Sequence, residues 1–128
     1  MPVLNSINQM LNEMTEWRHD LHKIPEIGLE EYETSKYIKN KLKEFNVNFK
    51  DGYSNTGIVA WVDGSKKTNE KTIGLRADFD ALPMPEKNEF DHKSTNKGMM
   101  HACGHDGHTT MLLGAAKYLN ENNDFDGR

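Results

Sequence analysis

The sequence of 128 residues contains one cysteine, four prolines and no long apolar run. A single cysteine forms no internal disulfide, which excludes a disulfide-stabilised secreted scaffold and favours a reducing cytoplasm. No stretch approaches the roughly 20 apolar residues of a membrane-spanning helix, and no secretory signal is visible at the N-terminus. The net charge is -4 and no basic patch is present, so the composition does not favour nucleic-acid binding. We therefore expect one cytoplasmic globular domain, or a piece of a larger one.

Apolar residues at helical spacing predict three helices. The first spans 3–22 and ends before Pro25, which breaks the pattern. The second spans 30–45, and the third runs from 105 or 106 to 122. The expected buried faces are Leu4, Ile7, Leu11, Met14, Arg18 and Leu21 with Met10 and Trp17 beside them, then Tyr37, Ile38, Leu42 and Phe45, and finally Met111, Leu112, Ala115, Ala116 and Leu119.

Two short segments rich in apolar and β-branched residues, 56–62 and 71–77, predict strands. A polar turn at 63–69 separates them, and residues 84–100 predict an irregular, flexible loop. The element order predicts an α/β fold in which helices pack on a mixed β-sheet. Loops at strand ends carry the functional sites of such folds.

Residues 101–108 combine half of the histidines with the single cysteine. Cys103 and His105 are two residues apart, so an extended backbone would place both side chains on one side. Thiolate and imidazole are ligands of zinc, manganese, iron and cobalt sites. The alternative is that Cys103 is a small buried side chain and the histidines only pack or cap a helix. His101 and His108 fit substrate-facing positions, or positions supporting the ligands, better than ligation.

Two carboxylates, Asp78 and Asp80, follow the second predicted strand and leave it in the same direction. Either one could accept the second ring N–H of a metal-bound His105 and so fix its tautomer. The alternative is a pair that hydrogen-bonds its own loop backbone. His19 and His22 lie three residues apart near the end of the first helix, where we expect them to interact with the helix dipole rather than with a metal.

Four blocks of the sequence resemble a bacterial and plant amidohydrolase family. That family includes hippurate hydrolase, N-acyl-amino-acid deacylases, N-acetyl-diaminopimelate deacetylase and auxin-conjugate hydrolases. The blocks occur in order over nearly the whole chain. They are 18–28 (RHDLHKIPEIG), 56–60 (TGIVA), 75–83 (LRADFDALP) and 100–109 (MHACGHDGHT), the last followed by the apolar 112–116.

The resemblance implies the N-terminal part of a zinc-peptidase-like catalytic domain. It implies a site with two divalent cations, with zinc, manganese, cobalt and nickel not distinguished, that hydrolyses the amide bond of N-acyl amino acids. Cys103 and His105 would be metal ligands and Asp80 an orienting carboxylate. The general base, a glutamate, would lie beyond residue 128, as would the dimerisation domain and the C-terminal part of the catalytic domain. Residues 1–128 would then contain no general base.

Three functional hypotheses follow. The chain is an N-terminal fragment of such an amidohydrolase, inactive alone; or a separately encoded C-terminal half completes the enzyme. The third hypothesis is a stand-alone metal-binding or interaction module without catalysis, in which Cys103, His105 and His108 contribute to a structural site. A structural zinc site is closed by four ligands, whereas a catalytic site keeps an open position.

Overall fold

A computed structural model describes residues 4–66 and 68–128. Helices pack together with a small antiparallel hairpin, which confirms the α/β class. Among these residues no helix is both long enough and apolar enough to cross a bilayer. The elements in chain order are α1 (Asn5–Gln9), α2 (Leu11–Lys23), α3 (Tyr32–Glu44), β1 (Asn48–Tyr53), β2 (Gly57–Trp61) and α4 (His105–Glu121).

The helix predicted at 3–22 is divided at Met10, which ends α1 and precedes α2; residue 3 lies outside the described residues. The predicted buried face was wrong at Leu4 and Leu11, whose exposed fractions are 56% and 62%. Leu21 is buried as predicted, and so are Met10 and Trp17, which were expected beside that face. The reason is that the packing partner, α4, lies on that side of α2.

One cluster of buried side chains joins the helices, and it consists of Met10, Trp17, Ile38, Leu42, Val47 and Leu113. The face predicted for α4 was wrong at Met111, which is 60% exposed, whereas Leu113 is 3% exposed. Both sides of α4 are rich in apolar residues, so periodicity did not decide which one packs. The close approach of α2 decides it, because Gly114 lies directly against the side chain of Met14.

The sheet of the described residues is an antiparallel pair of β1 and β2. The prediction at 56–62 is confirmed as β2, whereas β1 was not predicted. Its sequence, NFKDGY, contains several residues that have low β-strand propensity. The segment is a strand nonetheless, because it pairs with β2. The register shifts between Asp51 and Tyr53, where Gly52 adopts a φ of 85° that glycine tolerates best.

The second predicted strand, 71–77, was wrong: these residues are assigned to neither helix nor strand. Ile73 and Leu75 are 78% and 61% exposed. Two backbone hydrogen bonds join this segment to Arg128, from Ile73 N to Arg128 O and from Arg128 N to Lys71 O. Two hydrogen bonds to one residue do not make a β-ladder, so the strand-like composition of 71–77 does not produce a strand.

Residues 84–100 are irregular, as predicted, but several hydrogen bonds anchor them to the end of α2. The amide and hydroxyl of Thr95 both donate to Lys23 O, at 2.8 and 2.7 Å. Asn96 Nδ2 donates to Pro25 O at 2.8 Å. Glu86 accepts hydrogen bonds from the Ser94 amide, Asn88 Nδ2 and His22 Nε2.

Glu26 caps α3 from outside the helix. Its carboxylate accepts from the Glu33 and Thr34 amides and from the Thr34 hydroxyl, at 3.0, 2.7 and 2.7 Å. We predict that Glu26→Ala lowers the free energy of unfolding by about 1 kcal/mol, because free amides at the helix start lose their acceptor. Urea denaturation measures this. Glu30→Ala, at an exposed position that precedes α3, is the control. Equal stability of both variants would contradict the capping role.

Glu86 makes the stability of the fold depend on pH. Burial alone would raise its pKa, but hydrogen bonds from Ser94, Asn88 and His22 and the charge of His22 lower it from 4.5 to about 2. A lowered pKa stabilises the fold above pH 4.5, and this contribution disappears as the pH falls through about 2.

We predict that Glu86→Gln is less stable than the wild type near neutral pH, by about 1–2 kcal/mol. The difference should narrow between pH 4.5 and 2. Denaturation at a series of pH values measures both effects, with Glu89→Gln, at an exposed glutamate, as the control. Parallel pH profiles of wild type and Glu86→Gln would show that this carboxylate contributes no acid sensitivity.

Candidate metal centre

Paired backbone segments bring the acidic block and the Cys/His block together. Leu82 and Met100 exchange two hydrogen bonds, each of 3.0 Å, as an isolated antiparallel bridge. The Thr109 hydroxyl, in the first turns of α4, donates to Asp78 O at 3.1 Å. These contacts place Asp78 and Asp80 against the start of α4. This is the arrangement expected if one of the aspartates accepts a hydrogen bond from His105.

Gly104 turns the backbone between Cys103 and His105. It has a φ of 91° and a ψ of 15°, a left-handed conformation that glycine adopts at little cost. The backbone at Gly104 is therefore not extended, so the argument from an extended backbone does not apply to this pair. Cys103 is exposed, and His105 is the first residue of α4. The assignment of Cys103 as a metal ligand stays a prediction.

Asp80 orients the ring of His105. His105 Nδ1 lies 2.9 Å from both the carbonyl oxygen and Oδ1 of Asp80. Both partners are acceptors, so Nδ1 carries the hydrogen and donates. In the neutral ring Nε2 then keeps a lone pair, which is the state that a metal ligand needs.

The free Nε2 of His105 faces Asp78. These two potential ligand atoms, His105 Nε2 and Asp78 Oδ1, lie 3.6 Å apart. His108 Nδ1 approaches the same carboxylate oxygen at 3.2 Å. The hydrogen bond from His108 and the charge of Arg76 lower the pKa of Asp78, so it is ionised at neutral pH. Asp78, His105 and His108 each offer a ligand atom within 4.8 Å of the others.

This donor set fits a divalent cation. Ligand atoms about 2.1 Å from a tetrahedral zinc ion lie about 3.4 Å apart, close to the separation of His105 Nε2 and Asp78 Oδ1. A neutral imidazole nitrogen and a carboxylate at this distance lack a hydrogen between them, and a shared cation resolves that conflict. Imidazole with carboxylate suits zinc, manganese and cobalt, and does not select among them.

Two open clefts border the carboxylates and α4. One, of about 210 Å³, is lined by Glu31, Tyr53, Arg76 and both aspartates, among others. The other, of about 430 Å³, is mainly apolar and lies between Leu75 and α4, with His108 at its edge. The cluster of candidate ligands, Asp78, His105 and His108, is thus accessible from two sides.

His101 lies in the interior and is 4% exposed. Neither ring nitrogen has a hydrogen-bond partner among the described residues. Burial lowers its pKa, so the ring is neutral at neutral pH. The sequence placed His101 near the ligands, and its substrate-facing or supporting role stays a prediction.

An ion network of Arg18, His22, Glu86 and Asp106, in which all side chains except that of Arg18 are buried, was not predicted. His22 is 2% exposed and contacts Asp106 and Glu86. It lies in the last turn of α2, and its interaction with the helix dipole stays a prediction. The four-residue spacing of Arg18 and His22 places both on one side of α2. That spacing, with an aspartate directly after His105, was the available signal; the partner of each charge depends on tertiary structure.

Comparison with known proteins agrees with this geometry. Residues 74–128 match peptidase family M20/M25/M40. The chain is 44% identical to hippurate hydrolase of Campylobacter jejuni over 96% of this chain and 32% of that protein. It is 48% identical to IAA-amino acid hydrolase ILR1-like 5 of Arabidopsis thaliana, over 84% of this chain and 24% of that protein.

A solved structure gives the same result. The chain is similar to a dinuclear metal-binding peptidase of the M20 family from Bacillus subtilis, with a TM-score of 0.84 and 36% identity. The match covers 91% of this chain and 32% of the other. The chain thus spans about a quarter to a third of the length of these relatives. The chain belongs to peptidase family M20/M25/M40, and it corresponds to the N-terminal part of the family's members.

Proposed function

We propose that residues 1–128 form the N-terminal portion of the catalytic domain of a metal-dependent amidohydrolase that cleaves the amide bond of N-acyl amino acids. The observation that carries the proposal is the cluster of Asp78, His105 and His108, with Asp80 orienting His105. The names of the relatives, a hippurate hydrolase and an IAA-amino acid hydrolase, support the N-acyl amino acid as the substrate class. The lone cysteine supports a cytoplasmic location.

Each residue of the site has a role in this proposal. His105 offers Nε2 to a cation, and Asp80 keeps the hydrogen on Nδ1. Cys103 is a second ligand from the other side of the Gly104 turn. Asp78 and His108 lie beside the same cation position, as further ligands or as groups facing the substrate. When bound, divalent cations polarise a scissile carbonyl and lower the pKa of a water molecule.

We assign no general base within residues 1–128. Hydrolysis needs a positioned group that accepts the proton of the attacking water. Our proposal places that group, the dimerisation domain and the remaining ligands in a C-terminal portion, either of the same polypeptide or encoded separately. Because our proposal places the remaining ligands and the general base outside residues 1–128, we expect the isolated chain to bind metal weakly and to be inactive.

We predict that His105→Ala weakens cobalt binding by more than tenfold and that Asp80→Asn weakens it by about tenfold. The first variant removes a ligand, and the second removes the carboxylate that orients it. Visible absorption of Co²⁺ during titration measures the affinity. Affinity should also fall as the pH is lowered, because the ligands take up protons. His92→Gln, a histidine outside the cluster, is the control. Equal affinity of His105→Ala and wild type would refute the proposed site.

We predict that the purified chain with Mn²⁺ or Zn²⁺ does not hydrolyse hippurate above the blank, because it lacks a general base. Release of free amino acid measures this. A chimera that joins residues 1–128 to the rest of Campylobacter jejuni hippurate hydrolase should hydrolyse hippurate, and Cys103→Ala should abolish its activity. Turnover by the isolated chain that Cys103→Ala removes would overturn the inactive-fragment proposal.

A further inference from the structure

Asp106 has an unusual environment for a carboxylate beside a metal site. Its side chain is 1% exposed, and it directly follows His105 in α4. Its Oδ2 forms an ion pair with Arg18 Nε at 3.0 Å and accepts a hydrogen bond from His22 Nδ1 at 2.6 Å. Its Oδ1 accepts from the Gly107 amide at 2.9 Å. A buried carboxylate with this many donors is held in one position.

His22 links Asp106 to the 84–100 segment. Its second ring nitrogen, Nε2, lies 3.0 Å from Glu86 Oε1. Carboxylates only accept hydrogen bonds, so both ring nitrogens of His22 donate. The ring therefore bridges two buried carboxylates, in α4 and in the 84–100 segment, and His22 is fixed from both sides.

The first turns of α4 are restrained by hydrogen bonds of His105, His108 and Thr109 with Asp78 and Asp80, and independently by the contacts of Asp106. Gly104, with its positive φ, precedes this turn, and Gly107 lies within it. Both glycines leave the backbone conformationally free. No side chain caps the N-terminus of α4. The side chain of Asp106 restrains the turn that carries His105 and leads to His108, while Cys103 lies two residues before His105.

We propose that Arg18 and His22 are positioning residues of the metal centre: by holding the Asp106 carboxylate they set the direction of the first turn of α4 and thereby the alignment of His105 with Asp78. This inference rests on the proposed function. Neither residue forms a hydrogen bond or ion pair with Asp78, His105 or His108 within the described residues; besides Asp106, His22 contacts Glu86 and Arg18 contacts His92. His101 and His92 also face His22, with ring centroids at 6.2 and 5.7 Å, and neither touches Asp106 by a hydrogen bond within the described residues.

Cobalt binding to variants of the same chain tests the inference. Arg18→Gln is the main variant, because a side chain that is 38% exposed can be replaced without leaving a core cavity. Arg18→Lys keeps a positive donor and is the conservative rescue. His22→Gln removes the bridging charge. His19→Gln is the matched control, since His19 follows Arg18 on α2 and stacks on His92 at 3.7 Å.

We expect Arg18→Gln to bind Co²⁺ about tenfold more weakly than the wild type. Its visible spectrum at saturation should be shifted, Arg18→Lys should recover most of both properties, and His19→Gln should match the wild type. Thermal melting is recorded for each variant, and all titrations are done well below the lowest melting temperature. A purely structural role would lower the melting temperature and leave the cobalt spectrum of the folded protein unchanged.

Two further outcomes overturn the inference and differ in what else they overturn. If His105→Ala abolishes the cobalt spectrum but Arg18→Gln leaves affinity and spectrum unchanged, the positioning role is wrong and the proposed metal site stands. If the wild type shows no cobalt spectrum, or one that His105→Ala does not alter, the proposed function fails and the positioning role fails with it.

Discussion

The contacts of the buried Asp106 carboxylate are the interaction on which the geometry of this molecule depends. A charge removed from water is costly unless donors surround it. Here the partners are a guanidinium in an ion pair and an imidazole and an amide that donate hydrogen bonds. Two of them come from α2, so the contact that neutralises the carboxylate also holds α2 against the start of α4. The hydrophobic cluster around Trp17 and Leu113 packs the same two helices further along.

The candidate metal centre lies one residue from this contact. His105 receives its orientation from Asp80, which lies 25 residues away in sequence but 2.9 Å away in the fold. That approach requires the intervening segment to fold back, which it does through the Leu82–Met100 bridge and the contacts of Thr95 and Glu86. The irregular segment 84–100 therefore places Asp80 beside His105, whose ring it orients.

The surface beside the centre is apolar. Ile73, Leu75 and Met111 are each at least 60% exposed, and the larger cleft lies between Leu75 and α4. Large exposed apolar side chains in a contiguous area commonly mark a contact surface. The relatives are three to four times longer than the segment that this chain matches. An apolar surface at the edge of the site fits our proposal that a C-terminal portion completes the enzyme.

The sequence alone was enough to place the chain in its family by resemblance and to predict the α/β class and the approximate helices, because these follow from local patterns of residue type and spacing. It left open whether the acidic block contacts the Cys/His block. It did not determine every buried residue of α2 and α4, the hairpin strand β1, the absence of a ladder at 71–77 among the described residues, or the left-handed conformation of Gly104. It also did not reveal that His22 bridges Asp106 and Glu86. Only tertiary structure decided these features, because burial, ladder pairing and charge neutralisation each depend on a partner that lies far away in the chain.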